Sequence, residues 1–357
     1  MKIIFLVAAL KSGGSERTVT YLAPYFASKG YDTTVVTLDS DVFYELPPSV
    51  KLVKMGIPLT RKRSLLSVFR AFLRYLRSNV YILKERPEVV VCILPDTVKY
   101  LVLLHKFLKF RLITSERNNP MVLSDRDLKQ RVGAFKESDG VIFQTEVAQN
   151  FYSSDVIKKS VVIHNAVGNP YVYKIGQADR KVKKFVAIGR LENRQKDYVT
   201  MIDAFEQFLT FYPDFYLEIF GEGSDEAFLT GYIRGKNLTN KVILMGTRVD
   251  AIMEANSATA YLISSRYEGM PNALMEAMAI GLPCISTDCH TGPRELIDDG
   301  VNGLLVPVGD AEAMCDAMLR IVREPLLAKK LGGAARKILE GHSIDEIAQK
   351  YLDFIIK

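Results

Sequence analysis

The sequence predicts an α/β fold built from two doubly wound, mostly parallel sheets, and three observations carry that expectation. Short β-branched runs alternate with longer helical patterns along the whole chain, which is the signature of βαβ units with both sheet faces covered. A polar stretch lacking either period interrupts the alternation near the middle, and the pattern then restarts. The length of 357 residues exceeds what one hydrophobic core usually serves, so two domains of about 150 to 200 residues are expected.

Taken in order, strands are expected at 2–8 (KIIFLVA), 33–37 (TTVVT), 88–94 (EVVVCIL), 111–115 (RLITS) and 139–143 (DGVIF). The interruption, GNPYVYKIGQADRKVK at 168–183, is read as the linker between domains 1–167 and 184–341. Beyond it, strands are expected at 184–190 (KFVAIGR), 215–220 (FYLEIF), 241–246 (KVILMG), 258–264 (ATAYLIS) and 282–287 (LPCIST). The last helical pattern, SIDEIAQKYLDFIIK, lies in 342–357 and is expected to cross back onto the first domain. Two such sheets should turn their carboxyl ends, where doubly wound sheets bind ligands, toward a central cleft.

Composition narrows the class. With 48% apolar and 25% charged residues the chain reads as an ordinary soluble protein. No apolar run approaches the roughly 18 residues of a membrane span, and MKIIFLVAAL reads as a buried strand rather than a signal peptide. Cys92, Cys284, Cys289 and Cys315 show no metal-ligand spacing, and the four histidines form no close pair in sequence. A cytoplasmic location without a bound metal or cofactor follows as the expectation. Asp39-Ser-Asp41 and Asp125-Arg-Asp127 look like metal ligands but are read as loop and helix-start residues. The net charge of +6 divides unevenly: residues 1–165 hold 25 Lys or Arg against 15 Asp or Glu, so the basic character belongs to the first half.

The stretch 264–286, SSRYEGMPNALMEAMAIGLPCIS, sets two glutamates in a mostly apolar context. Glu268 and Gly269 fall in the loop after a buried strand, and Pro271 suits the first residue of a helix. That helix is apolar nearly all round, so it should be buried, with Glu276 its only charge. An unpaired buried carboxylate is costly, so Glu276 needs partners. A hydroxyl-rich ligand would supply them; a structural arginine is the blander alternative. The free amides around Met270 to Ala273, with the helix dipole behind them, suit an anion. The constellation fits a ligand whose hydroxyls flank a phosphate.

These residues carry a resemblance. E-G-M-P-N-A-L-M-E, A-M-A-I-G-L-P-C-I-S-T-D and G-P-R-E-L-I, with G-G-S-E-R-T, S-E-R-N-N-P, G-R-L-E-N-R-Q-K and N-G-L-L-V-P in the same order along the chain, resemble the retaining family-4 glycosyltransferases of the GT-B fold. That fold is two Rossmann-like domains facing a central cleft. The resemblance implies that Glu268 contacts the donor sugar and Glu276 the ribose. It implies that Arg190 and Lys196 grip the diphosphate, that Gly13 and Gly14 close over the donor phosphate, and that Arg248 and Val249 lie near the nucleotide base. Gly269, Met270, Pro271 and Asn272 complete the implied nucleotide-sugar site. Charge building on a leaving diphosphate would meet Arg190, Lys196 and helix amides, which stabilise the transition state more than the ground state. No metal is then required.

Where many relatives carry a histidine after the fourth strand, this chain has Ser115-Glu116-Arg117-Asn118-Asn119-Pro120. Glu116 becomes the candidate to orient or deprotonate the acceptor hydroxyl, and His105 is read as a packing residue.

Residues 61–86 hold eight basic residues and one acid. Arg70, Arg74, Arg77 and Lys84 recur on one helical face, and Leu66, Phe69, Leu73, Leu76 and Val80 on another. Such a helix suits an anionic membrane surface on the inner face of the cell membrane, or the pyrophosphate of a lipid-linked glycan acceptor. A solvated face on a helix packed against the first sheet is the plain alternative. Nucleic acid is not expected, because no nucleic-acid-binding motif accompanies the charge.

The resulting expectation is a peripheral hexosyltransferase moving a hexose or N-acetylhexosamine from a nucleotide sugar, uridine-linked by first choice. A nucleotide-sugar epimerase of the same architecture is the nearest alternative, and it would lack the glutamate pair. A dinucleotide-dependent oxidoreductase fits the sheets, but the first turn reads Ala-Leu-Lys-Ser-Gly-Gly rather than a dinucleotide-binding glycine fingerprint.

Overall fold

The computed structural model describes residues 1–10, 14–57, 65–168, 182–248 and 251–357. Gly13, Val249 and most of the expected linker lie outside them, as do Arg61, Lys62 and Arg63. The chain divides into two compact units, Met1–Gly168 with His342–Lys357, and Asn169–Gly341.

The first unit is built on strands β1 (Lys2–Val7), β2 (Asp32–Thr37), β3 (Lys51–Lys54), β4 (Val89–Cys92), β5 (Arg111–Glu116), β6 (Gly140–Phe143) and β7 (Ser160–Val162). Their order in the sheet is β3-β2-β1-β4-β5-β6-β7, and every pairing is parallel. Such a sheet must be buried on both faces, which is why β1, β4 and β6 read as near-continuous apolar runs. The last helix, Ile344–Ile356, packs in this unit: Ile347, Ala348, Tyr351, Leu352 and Ile355 join the core of β1, β4 and the Gly14–Ser28 helix. A Ser343–Glu346 capping box starts it, satisfying amide groups that would otherwise lack partners.

The second unit carries β8 (Lys184–Ile188), β9 (Tyr216–Phe220), β10 (Val242–Gly246), β11 (Ala260–Ile263), β12 (Cys284–Thr287) and β13 (Leu304–Val306) in the order β10-β9-β8-β11-β12-β13, again all parallel. In each sheet the strand order reverses at one place, between β1 and β4 and between β8 and β11. Loops leaving the carboxyl ends of those strands diverge, opening a crevice that binds ligands in sheets of this type.

Three strands escape the sequence reading: β3, β7 and β13. Each has three or four residues and lies at a sheet edge, where short strands with little apolar periodicity are usual.

The basic helix requires a correction. Helix Leu65–Glu85 forms as expected, but Arg74 is not on an open basic face. It is 5% exposed, on the packed side with Ser78 and Ile82. Arg77 is tied down, donating from Nη1 to the Met55 carbonyl at 2.6 Å. The apolar stripe is turned outward instead: Phe69, Leu76 and Val80 are all exposed. Helix period identifies two faces but not which of them meets the sheet, and here a face of mixed polarity packs.

Candidate active site

The site builds up from the two loops that flank the switch point of the second sheet. After β8 the chain passes through Gly189, Arg190, Leu191 and Glu192 into the short helix Asn193–Lys196. Two glycines of the neighbouring loop allow that path. A Cβ on Gly221 would stand 2.0 Å from the Gly189 carbonyl oxygen, and one on Gly223 would stand 2.4 Å from that of Leu191. Gly221 also adopts φ +138°, which L side chains rarely do. At Gly189 itself a Cβ would press on Tyr198 and Lys196.

After β11 the chain runs through Ser264 and Ser265 to Glu268, and the two loops are tied together. Ser264 Oγ donates to the Lys196 carbonyl at 2.7 Å, and the Arg266 amide donates to the Gln195 carbonyl at 2.8 Å. Arg266 also pairs with the buried carboxylate of Asp197 at 3.1 Å. Asp197 takes a left-handed conformation, φ 48° and ψ 46°, where the short helix turns into Tyr198–Leu209.

Within this frame Lys196 Nζ donates to Glu268 Oε1 at 2.6 Å, and Ser265 Oγ donates to the same oxygen at 2.5 Å. The Thr291 hydroxyl donates to the Glu268 carbonyl, so side chain and backbone of Glu268 are both fixed. Gly292, at φ +78°, brings the following loop against Gly269, where a Cβ would stand 2.4 Å from the carbonyl oxygen. The electrostatic imprint of Glu268 reaches its neighbours. Burial raises the Cys289 thiol to about 12, assisted by the Glu268 charge, and burial with the same charge raises the Tyr198 phenol.

Helix Asn272–Ala279 starts one residue later than the sequence reading: Pro271 is its cap, at φ −80° and ψ 99°. Met270 and Pro271 are buried at its start, and Asn272 is half-buried. Glu276 is 5% exposed among the fully buried Leu274, Met275 and Ala277, as an apolar helix with one carboxylate requires. Arg190 is largely exposed and pairs with Glu192 at 3.1 Å. Arg248 is exposed just beyond β10, and Gly14 is exposed as the first residue of the Gly14–Ser28 helix. Among the described residues no three His, Cys, Asp or Glu side chains group as metal ligands.

In the first unit Glu116 departs from its expected role. It ends β5 fully buried, and its carboxylate accepts from Arg131 Nη1 at 2.6 Å, from the amides of Arg117 and Asn118 at 3.0 Å each, and from Tyr152 at 3.1 Å. Burial raises its pKa, opposed by the Arg131 charge and these hydrogen bonds. Four donors on a carboxylate 1% exposed leave it no approach to an acceptor hydroxyl; it fixes the turn after β5. Arg117, next in sequence, reaches Thr18, Asn165 and Tyr351, joining that turn to the first and last helices of the unit. His105 packs its ring against Phe110.

Ser265, Thr291, Gly221 and Gly223 are site residues that the sequence reading passed over. For the glycines a signal was available, since Phe-Gly-Glu-Gly directly after a strand marks a close backbone approach.

Two Rossmann-like units of this topology have the architecture of the GT-B fold, and the second holds a lysine–glutamate pair at its switch point. Residues 173–338 match the family described as "Glycosyl transferases group 1". Over nearly the full length of both chains, the protein is 25% identical to the amylovoran biosynthesis glycosyltransferase AmsD of Erwinia amylovora, with 99% of each covered. It is 24% identical, with the same coverage, to the N-acetylgalactosamine-N,N'-diacetylbacillosaminyl-diphospho-undecaprenol 4-alpha-N-acetylgalactosaminyltransferase of Campylobacter jejuni. Among solved structures, Anabaena Alr3699/HepE in complex with UDP and glucose superimposes with a TM-score of 0.83 at 16% identity, covering all of both chains. The fold is therefore GT-B, and the protein is a glycosyltransferase.

Proposed function

We propose that the protein is a retaining glycosyltransferase that moves a hexose or N-acetylhexosamine from a uridine diphosphate sugar to a lipid-linked glycan acceptor in surface-polysaccharide assembly, at the inner face of the cell membrane. The observation that carries this reading is the Lys196–Glu268 pair at 2.6 Å, held at the carboxyl ends of β8 and β11. The relatives named above act in polysaccharide biosynthesis or on a diphospho-undecaprenol-linked sugar, and the HepE complex holds UDP. Those relatives are glycosyltransferases, so the epimerase alternative is not favoured. Among the described residues no helix is long and apolar enough to cross a membrane, which accords with peripheral attachment.

Each side chain has a task in this reaction. As the bond from the anomeric carbon to the diphosphate oxygen breaks, negative charge grows on the leaving group. Lys196 lies ready to meet it, Arg190 stands on the same loop, and the amides at the start of Asn272–Ala279 add the positive end of a helix. Glu268 orients the sugar hydroxyls, with Ser265 and Thr291 holding its rotamer and backbone. Glu276 holds the ribose hydroxyls, and Arg248 stands toward the base. The acceptor oxygen bonds to the anomeric carbon on the face the diphosphate leaves, and its proton passes to the leaving phosphate. Positive charge from side chains and amides makes a metal unnecessary.

The test is transfer from a panel of uridine- and guanosine-linked hexoses to a diphospho-undecaprenol-linked acceptor in excess chelator, with the anomeric configuration of the product read by NMR. Inverted product, or turnover that chelation stops and magnesium or manganese restores, would overturn the mechanism.

A further inference from the structure

Two stretches that carry the resemblance, G-G-S-E-R-T and S-E-R-N-N-P, have no part in the reaction proposed above. One side chain joins them. Arg117, just past the end of β5, is 7% exposed. Its Nη1 donates to the Tyr351 hydroxyl at 3.1 Å, and its Nη2 donates to Thr18 Oγ1 at 2.5 Å and to Asn165 Oδ1 at 2.6 Å. All three acceptors are hydroxyl or carboxamide oxygens without charge, and all three residues are buried. Among the described residues no carboxylate pairs with this guanidinium: the adjacent Glu116 is taken by Arg131 at 2.6 Å. A buried charge is costly without a counter-ion, so charges inside a fold are normally paired. The charge is also felt along the first helix, where burial, helped by Tyr351, raises the Tyr21 phenol to about 12 and Arg117 opposes the rise.

The place of Arg117 gives the charge a purpose. Thr18 Oγ1 in turn donates to the Gly14 carbonyl at 3.2 Å, so the guanidinium lies one turn, about 6 Å along the axis, inside the start of helix Gly14–Ser28. That end of a helix already carries partial positive charge, and a cation beside it is unfavourable. Glu16, the acid of the first turn, is half-buried and is not among the groups that hold the guanidinium. An aspartate at 165 would match the shape of Asn165 and neutralise the arginine where it stands, yet the chain surrounds it with asparagine, threonine and tyrosine. Positive charge gathered at a helix start whose first residue, Gly14, is exposed suits an anion that arrives from outside the fold.

We propose that Arg117 is a positioning residue for the diphosphate of a substrate: acting through Thr18 and the first turn of Gly14–Ser28, it holds the helix start and supplies fixed positive charge that the diphosphate neutralises. The proposal deepens, and rests on, the diphosphate chemistry proposed above. Two substrates of that reaction carry the group, the nucleotide sugar and the lipid-linked acceptor.

Three variants separate charge from bracing. Arg117→Lys keeps the charge and loses the fork of donors, Arg117→Met loses both, and Asn165→Asp keeps Arg117 but neutralises it. Calorimetry with inorganic pyrophosphate, UDP and farnesyl diphosphate, a soluble polyprenyl diphosphate, measures binding, and thermal midpoints are read beside it. Arg117→Met and Asn165→Asp should each weaken binding by about tenfold, while Arg117→Lys stays near the wild type. The midpoint should fall for both Arg117 variants and hold or rise for Asn165→Asp. Loss with UDP assigns the charge to the donor, and loss with farnesyl diphosphate assigns it to the acceptor. A brace without an electrostatic role gives another pattern, with Arg117→Lys and Arg117→Met equally impaired and Asn165→Asp binding as the wild type does. That pattern, or binding unchanged in all three variants, would overturn the proposal; if Arg117→Met does not fold, Asn165→Asp decides it alone. Wild-type binding of pyrophosphate but not UDP, with the variant pattern intact, would refute the donor reading and leave Arg117 its role. Wild-type UDP binding that no variant alters would refute the role of Arg117 alone, and a wild type that binds none of the three would refute both.

Discussion

Lys196 and Glu268, 72 positions apart in sequence, meet at 2.6 Å across the switch point of the second sheet, with Ser265 completing the contact. The pair joins the two residues on which the donor chemistry is proposed to turn, and the lysine is 16% and the glutamate 7% exposed. Breaking a buried pair from one side leaves the other charge stranded, at a cost of about 3 to 5 kcal/mol. Lys196→Ala should therefore lower stability by about 3 kcal/mol, the residual exposure placing it at the low end. The double variant Lys196→Ala, Glu268→Gln should recover most of that loss without recovering transfer. Denaturant melts beside initial rates check it: a single variant with wild-type turnover, or a double variant no more stable than the single, would sink the argument.

Backbone proximity gives a second contrast. Gly221→Ala forces a methyl to within 2.0 Å of the Gly189 carbonyl at a φ of +138°, and should cost roughly 3 kcal/mol through strain and displacement of the Arg190 loop. Gly231→Ala, on helix Glu226–Gly235 with open space around its Cβ, should instead stabilise by about 0.5 to 1 kcal/mol. Thermal melts of the two variants decide it. If UDP is the donor nucleotide as proposed, it should stabilise the wild type and the second variant alike, and the first much less.

Much of this site was legible in the chain, because strand–loop–helix punctuation places Glu268 after β11 and isolates Glu276 on an apolar helix. The direct Lys196–Glu268 contact was not, since nothing local links residues in loops separated by three strands. The buried position of Glu116 was likewise hidden: its partner Arg131 looks like an ordinary charge on the polar helix Asp125–Glu137. Edge strands β3, β7 and β13 were missed because three or four residues carry no period. In Leu65–Glu85 the period was visible, but the side facing the sheet depends on tertiary packing, and there Arg74 went in while Phe69 stayed out.

The position of Glu116 yields a third prediction. A general base lost to substitution typically costs 10² to 10⁴ in rate. A carboxylate that organises a turn should cost stability instead. Glu116→Gln should remain within about tenfold of wild-type turnover, with an unchanged pH–rate profile and a lower thermal midpoint from the weakened Arg131 contact. A thousandfold loss of rate at an unchanged midpoint would return Glu116 to the chemistry.

A fourth prediction concerns the two histidines where the chain leaves and re-enters the first unit. His164, just after β7, and His342, just before the last helix, stack with their rings 5.4 Å apart at 12° and exchange a hydrogen bond of 3.2 Å between Nδ1 and Nε2. The Val167 amide also donates to the His342 carbonyl at 2.9 Å, so the pair braces both crossing segments. Burial holds the His164 pKa below its ordinary 6.5, the neighbouring His342 and Lys350 push the same way, and Glu146 opposes them. The unfolded chain then binds a proton at this site more readily than the folded one. Stability from this site is accordingly complete above the ordinary value and is lost as pH falls from there through the lowered one. Thermal midpoints between about pH 7.5 and about pH 5.5 should therefore drop more for the wild type than for His164→Asn, which keeps a polar side chain but cannot take the charge. Equal slopes for the two proteins would show that the pair contributes nothing to acid sensitivity.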